Sequence, residues 1–252
     1  MKKAALFANL IAAGMAASPV MGQEPPKRPE AKAPAAAEPG DPFMLGTCPL
    51  MDKPIDPAKA KFVKHEGREL RFCCARCVRK FESDPEKHLK TIDAKMIEQQ
   101  KPFYPLDTCV IAGEKLGSMG EPVDYIYRNR LVRFCCEHCI ADFEKDPARH
   151  IAKLDEAAKA KQMADYPMNT CPVAGNELGK VTTAHDIVVG NRLVRLCCES
   201  CEPLFEKDPA KYLAIIDAAA AAAPARKPET EPKTAVPSVN PGPRPQDHHP
   251  KH

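Results

Sequence analysis

Three hexamers decide the reading of this chain: FCCARC at residues 72–77, FCCEHC at 134–139 and LCCESC at 196–201. Their last cysteines, Cys77, Cys139 and Cys201, are spaced 62 residues apart, so one unit is written three times. Upstream of each hexamer stands a further Thr-Cys pair, at Cys48, Cys109 and Cys171. The shared skeleton continues as Cys-Cys-x-x-Cys-x-x-x-Phe-Glu-x-Asp-Pro, and all twelve cysteines of the chain fall within it, four per copy. Generic core use would not distribute cysteine so evenly.

Local structure follows from the same skeleton. In the second copy Val123 to Tyr127 and Arg130 to Phe134 read as strands with Arg128-Asn129 at a two-residue turn, and Glu66-Gly67 and Gly190-Asn191 hold that place in the other copies. A short helix is expected through the third clustered cysteine to Phe81, Phe143 or Phe205. Asp84-Pro85, Asp146-Pro147 and Asp208-Pro209 then supply a capping carboxylate and a first-turn proline for a longer helix. Its inner face is expected at Leu89, Ile92 and Met96 in copy one and at Ile151 and Leu154 in copy two. A unit of about 60 residues buries little apolar surface, and domains of that size commonly need a disulfide or a metal.

Along each second strand, alternation places Arg71 on the face of Cys73, Arg133 with Cys135 and Arg195 with Cys197, while Cys74, Cys136 and Cys198 fall in phase with the apolar positions. A cation beside a thiol favours the thiolate, the form that binds metals; a solvated polar face is the alternative. Cys73 and Cys77 can bring both sulfurs to one point, with Cys48 closing the site from the preceding loop.

This pattern resembles the heavy-metal-binding cysteine modules known as TRASH and YHS domains. The matching residues are Cys48, Cys73, Cys77, Phe81 and Asp84-Pro85; Cys109, Cys135, Cys139, Phe143 and Asp146-Pro147; and Cys171, Cys197, Cys201, Phe205 and Asp208-Pro209. The resemblance spans about residues 43 to 216 and implies an α+β chain of three tandem, small, treble-clef-like modules, each a β-hairpin, a Cys-rich knuckle and helices around a metal. It also implies binding rather than catalysis. Two features depart from it: the additional cysteines Cys74, Cys136 and Cys198, and gaps of 24 to 25 residues after the leading cysteine. All twelve cysteines are thus candidate metal ligands, with zinc or copper(I) as the expected ion, because thiolates select soft or borderline cations.

The amino terminus opens with Met1, Lys2 and Lys3, then a small apolar run from Ala4 to Ala17 and a Val20-Met21-Gly22 sequence. This reads as a secretory signal, with secreted or periplasmic localisation and no membrane span after cleavage. The expected organisation is a signal peptide at 1–22, a Pro/Ala-rich linker at 23–42, cysteine modules at 43–100, 101–163 and 164–223, and a Pro- and His-containing tail at 224–252. Each module carries its own cysteines, hairpin and capped helix, so the three are expected to be separable. Without Lys2 and Lys3 the formal charge falls from +3 to +1, with no basic block, so no nucleic-acid partner is expected. The expected partners are metal ions and a metal transporter or other exported protein.

Two other readings remain open at this point. Export makes disulfides feasible, and four cysteines per copy allow three pairings, giving a disulfide-stapled interaction scaffold. A thiol-disulfide oxidoreductase built on Cys74-x-x-Cys77, Cys136-x-x-Cys139 and Cys198-x-x-Cys201 lacks the strand that returns after the helix in a thioredoxin-like fold. His88 and His150 are replaced by Tyr212 in copy three, which favours packing over ligation, and His65, His138 and His185 each occur once. His248, His249 and His252 in the tail suit weak metal binding or simple solvation. No catalytic constellation recurs, so the chain is expected not to be an enzyme.

The strand phase ranks the ligands. Competition titrations should show Cys135→Ser and Cys139→Ser losing most metal affinity and the folding free energy linked to it, whereas Cys136→Ser retains most affinity and adds a cost of about 1 to 3 kcal/mol. Equal losses in all three would instead mark a closed four-thiolate site.

Overall fold

The computed structural model describes residues 40–180 and 182–222. The proposed signal peptide, most of the linker, and the tail lie outside them. Among the described residues the fold is mixed α+β, with three two-stranded antiparallel hairpins and paired helices. Copy one contains β1 (Lys61–His65), β2 (Arg68–Phe72), α1 (Ala75–Ser83) and α2 (Pro85–Gln100). Copy two contains β3 (Val123–Tyr127), β4 (Arg130–Phe134), α3 (His138–Phe143) and α4 (Pro147–Gln162), and copy three contains β5 (His185–Val189), β6 (Arg192–Leu196), α5 (Glu202–Lys207) and α6 (Pro209–Ala222). Among the described residues no helix is long and apolar enough to cross a membrane.

The turns form where the dipeptides place them. Arg128 and Asn129 both have positive φ, 47° and 70°, as a two-residue turn compatible with strand twist requires. Register then pairs Tyr127 with Arg130 and Val123 with Phe134. Each long helix begins as expected: the Asp84, Asp146 and Asp208 carboxylates accept from the backbone N–H of Lys87, Arg149 and Lys211, all at 3.3 Å. The buried face of α2 is Ile92, Met96 and Gln100, with Leu89 half-buried against the core; α4 buries Leu154 and Ala158.

Three apolar clusters result, and each includes cysteines. In copy one Cys48 and Cys77 pack with Leu70, Phe72, Phe81 and Ile92; in copy two Cys109, Cys135 and Cys139 pack with Val132, Phe134, Phe143 and Leu154. The third cluster contains Cys171, Cys201, Val194, Leu196, Phe205 and Ile216, together with Met44 from the start of copy one. The modules are therefore not beads on a string. Met44 occupies the core of the third unit, and a Cβ on Gly190 would collide with its thioether, which accounts for glycine at a turn position held by Glu66 and Arg128 elsewhere.

A buried polar seam completes the interlock. Arg68, Arg130 and Arg192, the first residues of the three second strands, are all buried, and each is paired within its own copy: Arg68 with Asp93, Arg130 with Asp155 and Arg192 with Asp217. Arg68 Nε also donates to Asn129 Oδ1 of the next copy, and Arg130 Nε donates to Asn191 Oδ1, both at 2.9 Å. Asn129 Nδ2 donates back to the Glu69 and Asp41 carbonyls, and Asn191 Nδ2 to that of Leu131. The amides of Gln100 and Gln162, at the ends of the long helices, clamp the following hairpin: Gln100 donates to the Asn129 carbonyl and accepts from Leu131 N–H, and Gln162 does the same with Asn191 and Leu193. Asp41 holds both Arg130 and the Gly190 N–H. Arg71 also donates to the Glu206 and Lys207 carbonyls, linking copy one to copy three at the carboxyl end of α5.

Removing one member of such a buried ionic network strands its partners. Arg130→Ala should cost about 3 to 5 kcal/mol in denaturant unfolding. Asn129→Gly, which keeps the positive-φ turn and deletes only the amide, should cost about 1 to 3 kcal/mol. Losses below about 0.5 kcal/mol for both would show that the seam contributes nothing.

Candidate metal centre

Each cysteine cluster is assembled from three local devices. The leading cysteine starts a tight loop in which Cys48, Cys109 and Cys171 N–H groups donate to the carbonyls of Lys53, Glu114 and Asn176, and their own carbonyls accept from Asp52, Gly113 and Gly175. The closing residue has positive φ, 55° for Asp52 and 74° for Gly113 and Gly175. Asp52 thus takes a conformation that glycine holds in the other two copies. The second device is the end of the second strand, which delivers Cys73, Cys135 and Cys197. The third is the following helical turn, which delivers Cys77, Cys139 and Cys201, each N–H bonded to the carbonyl of Cys74, Cys136 or Cys198.

The sulfurs converge. In Cys48, Cys73 and Cys77, in Cys109, Cys135 and Cys139, and in Cys171, Cys197 and Cys201, the three Sγ atoms lie within 4.8 Å of one another. Cys73 and Cys77 are 3.8 Å apart, Cys135 and Cys139 3.8 Å, and Cys197 and Cys201 3.6 Å. Two thiolates bound to zinc at about 2.3 Å with a tetrahedral angle stand about 3.8 Å apart. A trigonal three-sulfur site needs nearly the same separation, so the spacing suits a thiophilic cation without choosing among them. A disulfide needs about 2.05 Å, and all twelve cysteines are free.

The extra cysteines stand at the rim. Cys74 Sγ is 3.8 Å from both Cys73 and Cys77, Cys136 is 3.8 Å from Cys139, and Cys198 is 3.7 Å from Cys201. Each second strand ends two residues earlier, at Phe72, Phe134 and Leu196, and the apolar side expected for these cysteines is met in copies two and three but not in copy one. Cys136 and Cys198 are half-buried against their cores, whereas Cys74 is exposed.

Arg71, Arg133 and Arg195 do not serve the thiols. Arg133 binds Asp124 at 2.6 Å and Arg195 binds Asp186 at 2.9 Å, each directly across the hairpin. In copy one Phe62 takes the place opposite, and Arg71 lies over its ring at 5.2 Å while reaching copy three. The thiols are tuned instead by burial, backbone N–H groups and one another. Burial raises the Cys48 thiol, but N–H donors from Cys73 and Leu50 and the neighbouring thiols bring it below the ordinary cysteine value; Cys109 and Cys171 behave alike. Cys77, Cys139 and Cys201 are pushed far up, by burial and by adjacent thiols. Cys74 is brought down to about 7, chiefly by the Cys77 N–H and thiol. Each cluster thus supports a thiolate beside thiols that keep their protons, and a cation binding there displaces those protons.

The histidines among the described residues are elsewhere, and His248, His249 and His252 lie outside those residues. His65 meets Phe81 edge-on at 5.4 Å, His150 lies against Phe143, Tyr212 stacks on Phe205, and His185 pairs with Glu202 at 2.8 Å. His88 is half-buried and His138 exposed.

In the reduced, metal-free chain at neutral pH, Cys74 should be alkylated before any other cysteine and Cys77 among the last, since exposure and a low thiol pKa act together at Cys74. Peptide mapping after brief iodoacetamide treatment reads the order. The Cys74 rate should level off above about pH 8, once its thiol is ionised; a Cys77-first order would contradict the site's electrostatics.

Comparison with family models, with curated proteins and with solved structures returned no match, so the chemistry of these centres is read from their own atoms.

Proposed function

We propose that this chain is an exported metal-binding protein whose three thiolate-rich sites buffer, carry or sense zinc, copper(I) or another soft metal. The observation that carries this reading is the threefold recurrence of three sulfurs within 4.8 Å, each set mounted on a loop, a strand end and a helix start. Three neighbouring thiols have little purpose in a core, where a larger apolar side chain would fill the space better. As metal ligands they supply soft charge and tie the three local elements of a small unit together.

In this reading the modules belong with the treble-clef-like TRASH and YHS type. Cys48, Cys73 and Cys77, with their counterparts Cys109, Cys135, Cys139, Cys171, Cys197 and Cys201, are the primary ligands. Cys74, Cys136 and Cys198 complete a fourth position or exchange with it. The role is binding and delivery, with no reaction catalysed, and the partners are metal ions and an exported protein or transporter that gives or receives them.

Protein purified from its exporting cell should contain about three soft-metal ions per chain, one per cluster, and should release about twelve titratable thiols after denaturation with a chelator. No metal together with few free thiols would overturn the reading in favour of a disulfide-stapled scaffold.

A further inference from the structure

The three cysteine clusters share their ligands but not their surroundings. A recess of about 330 Å³ opens onto the first one, lined by Met51, Lys53, Cys73, Cys74, Arg76, Cys77 and Lys80. It therefore joins three thiols of the cluster to a thioether and three cationic side chains. Met51, Lys53, Arg76 and Lys80 are exposed, and among the described residues none of the three cations has an ion-pair partner. The nearest acid in sequence, Asp52, is held by Lys95.

The same positions in the other copies are chemically different. Lys53, whose carbonyl closes the loop onto Cys48, corresponds to Glu114 and Asn176, which do the same for Cys109 and Cys171. Arg76, just before the last cysteine, corresponds to His138 and Ser200; Lys80 corresponds to Asp142 and Leu204; Met51 corresponds to Ala112 and Ala174. After the extra cysteine, Ala75 is replaced by Glu137 and Glu199. The rim of the first cluster thus carries three cations without an ion-pair partner, whereas the corresponding positions of the second carry Glu114, Glu137 and an Asp142 paired with Lys145. The third has Glu199 and a Glu202 paired with His185, and Asn176 donates to Cys197 Sγ at 3.7 Å.

With metal binding as proposed above, we infer that the first cluster is the loading port of the chain and takes its soft metal ion from a small anionic, carboxylate-coordinated complex. Lys53, Arg76 and Lys80 attract the complex and hold its carboxylates while the Cys48, Cys73 and Cys77 sulfurs replace them on the metal. Each carboxylate leaves as a free anion, and each thiol proton goes to solvent. The exposed Cys74 and the Met51 thioether stand on the approach, where an incoming soft ion meets sulfur before it reaches the buried thiols. The second cluster, with Glu114 and Glu137 in place of Lys53 and Ala75 and no matching cations, attracts the same complex less. Ligand identity gives the three sites a common preference, and surrounding charge sets the order in which they fill.

The test uses the full chain, reduced and metal-free, titrated with cadmium-113 either as the aquated cation or as its citrate complex. Site occupancy is read by cadmium NMR, with each resonance assigned through its coupling to cysteine β-protons. From citrate, the Cys48–Cys73–Cys77 resonance should appear first. In a Lys53→Glu, Arg76→Glu, Lys80→Glu chain its loading from citrate should slow by about tenfold or more. A chain with alanine at the same three positions should fall between, and the differences should shrink as salt is raised. Unchanged resonances from the second and third clusters report that the variants are folded. An unaltered filling order and rate in the charge-reversed chain would overturn the loading port while leaving metal binding intact. No thiolate-bound cadmium in the unaltered chain would overturn both.

Discussion

In each repeat three sulfurs gather where a loop, a strand end and a helix start meet. A unit of this size buries comparatively little apolar surface, so a contact that joins a loop, a strand end and a helix start carries weight. The three Sγ atoms of each triad are contributed by those three elements, so anything that binds them at once, metal or otherwise, ties the three together. The remaining core is arranged around that point: Phe72 and Phe81, Phe134 and Phe143, and Leu196 and Phe205 pack beside the cysteines, not in a separate layer.

Much of this architecture is legible in the sequence because its signals are local. Two-residue turns, Asp-Pro helix starts and the loop begun by Thr-Cys each act over a few residues, and the copies repeat them with enough variation to show which positions matter. The hairpins at Val123–Tyr127 and Arg130–Phe134 and the caps at Asp84, Asp146 and Asp208 stand where those signals put them. The convergence of Cys109 with Cys135 and Cys139 also follows, since a strand end leading directly into a helical turn leaves the intervening residues little freedom.

The seam is not local. Alternation puts Arg68, Arg130 and Arg192 in phase with the apolar positions of their strands, and each can be buried there because a carboxylate 25 residues later, Asp93, Asp155 or Asp217, returns on the long helix to meet it. That fixed offset in all three copies is the signal that could have revealed the pairs. The contacts of Arg68 with Asn129 and of Arg130 with Asn191 span 61 residues and depend on how one copy packs on the next, for which no local pattern exists. The arginines beside the cysteines show a different error: the hairpin register already places Asp124 opposite Arg133 and Asp186 opposite Arg195, and a charge one strand away is a better partner than a neutral thiol two residues along.

The seam and the sulfur clusters are two ends of the same strands. β4 begins with Arg130 in the buried network and ends with Phe134 beside Cys135; β6 runs likewise from Arg192 to Leu196 beside Cys197. Asn129 and Asn191, in the turns that precede those strands, are held by the copy before. Each of these strands therefore carries a seam residue at one end and leads into a cysteine of the triad at the other, so the two features share one element. Repeats that were independent would each set their own stability and affinity. Here the buried arginines and asparagines make the stability of one unit a term in that of the next, while the exposed side chains around each cluster remain free to differ, as Lys53, Glu114 and Asn176 do.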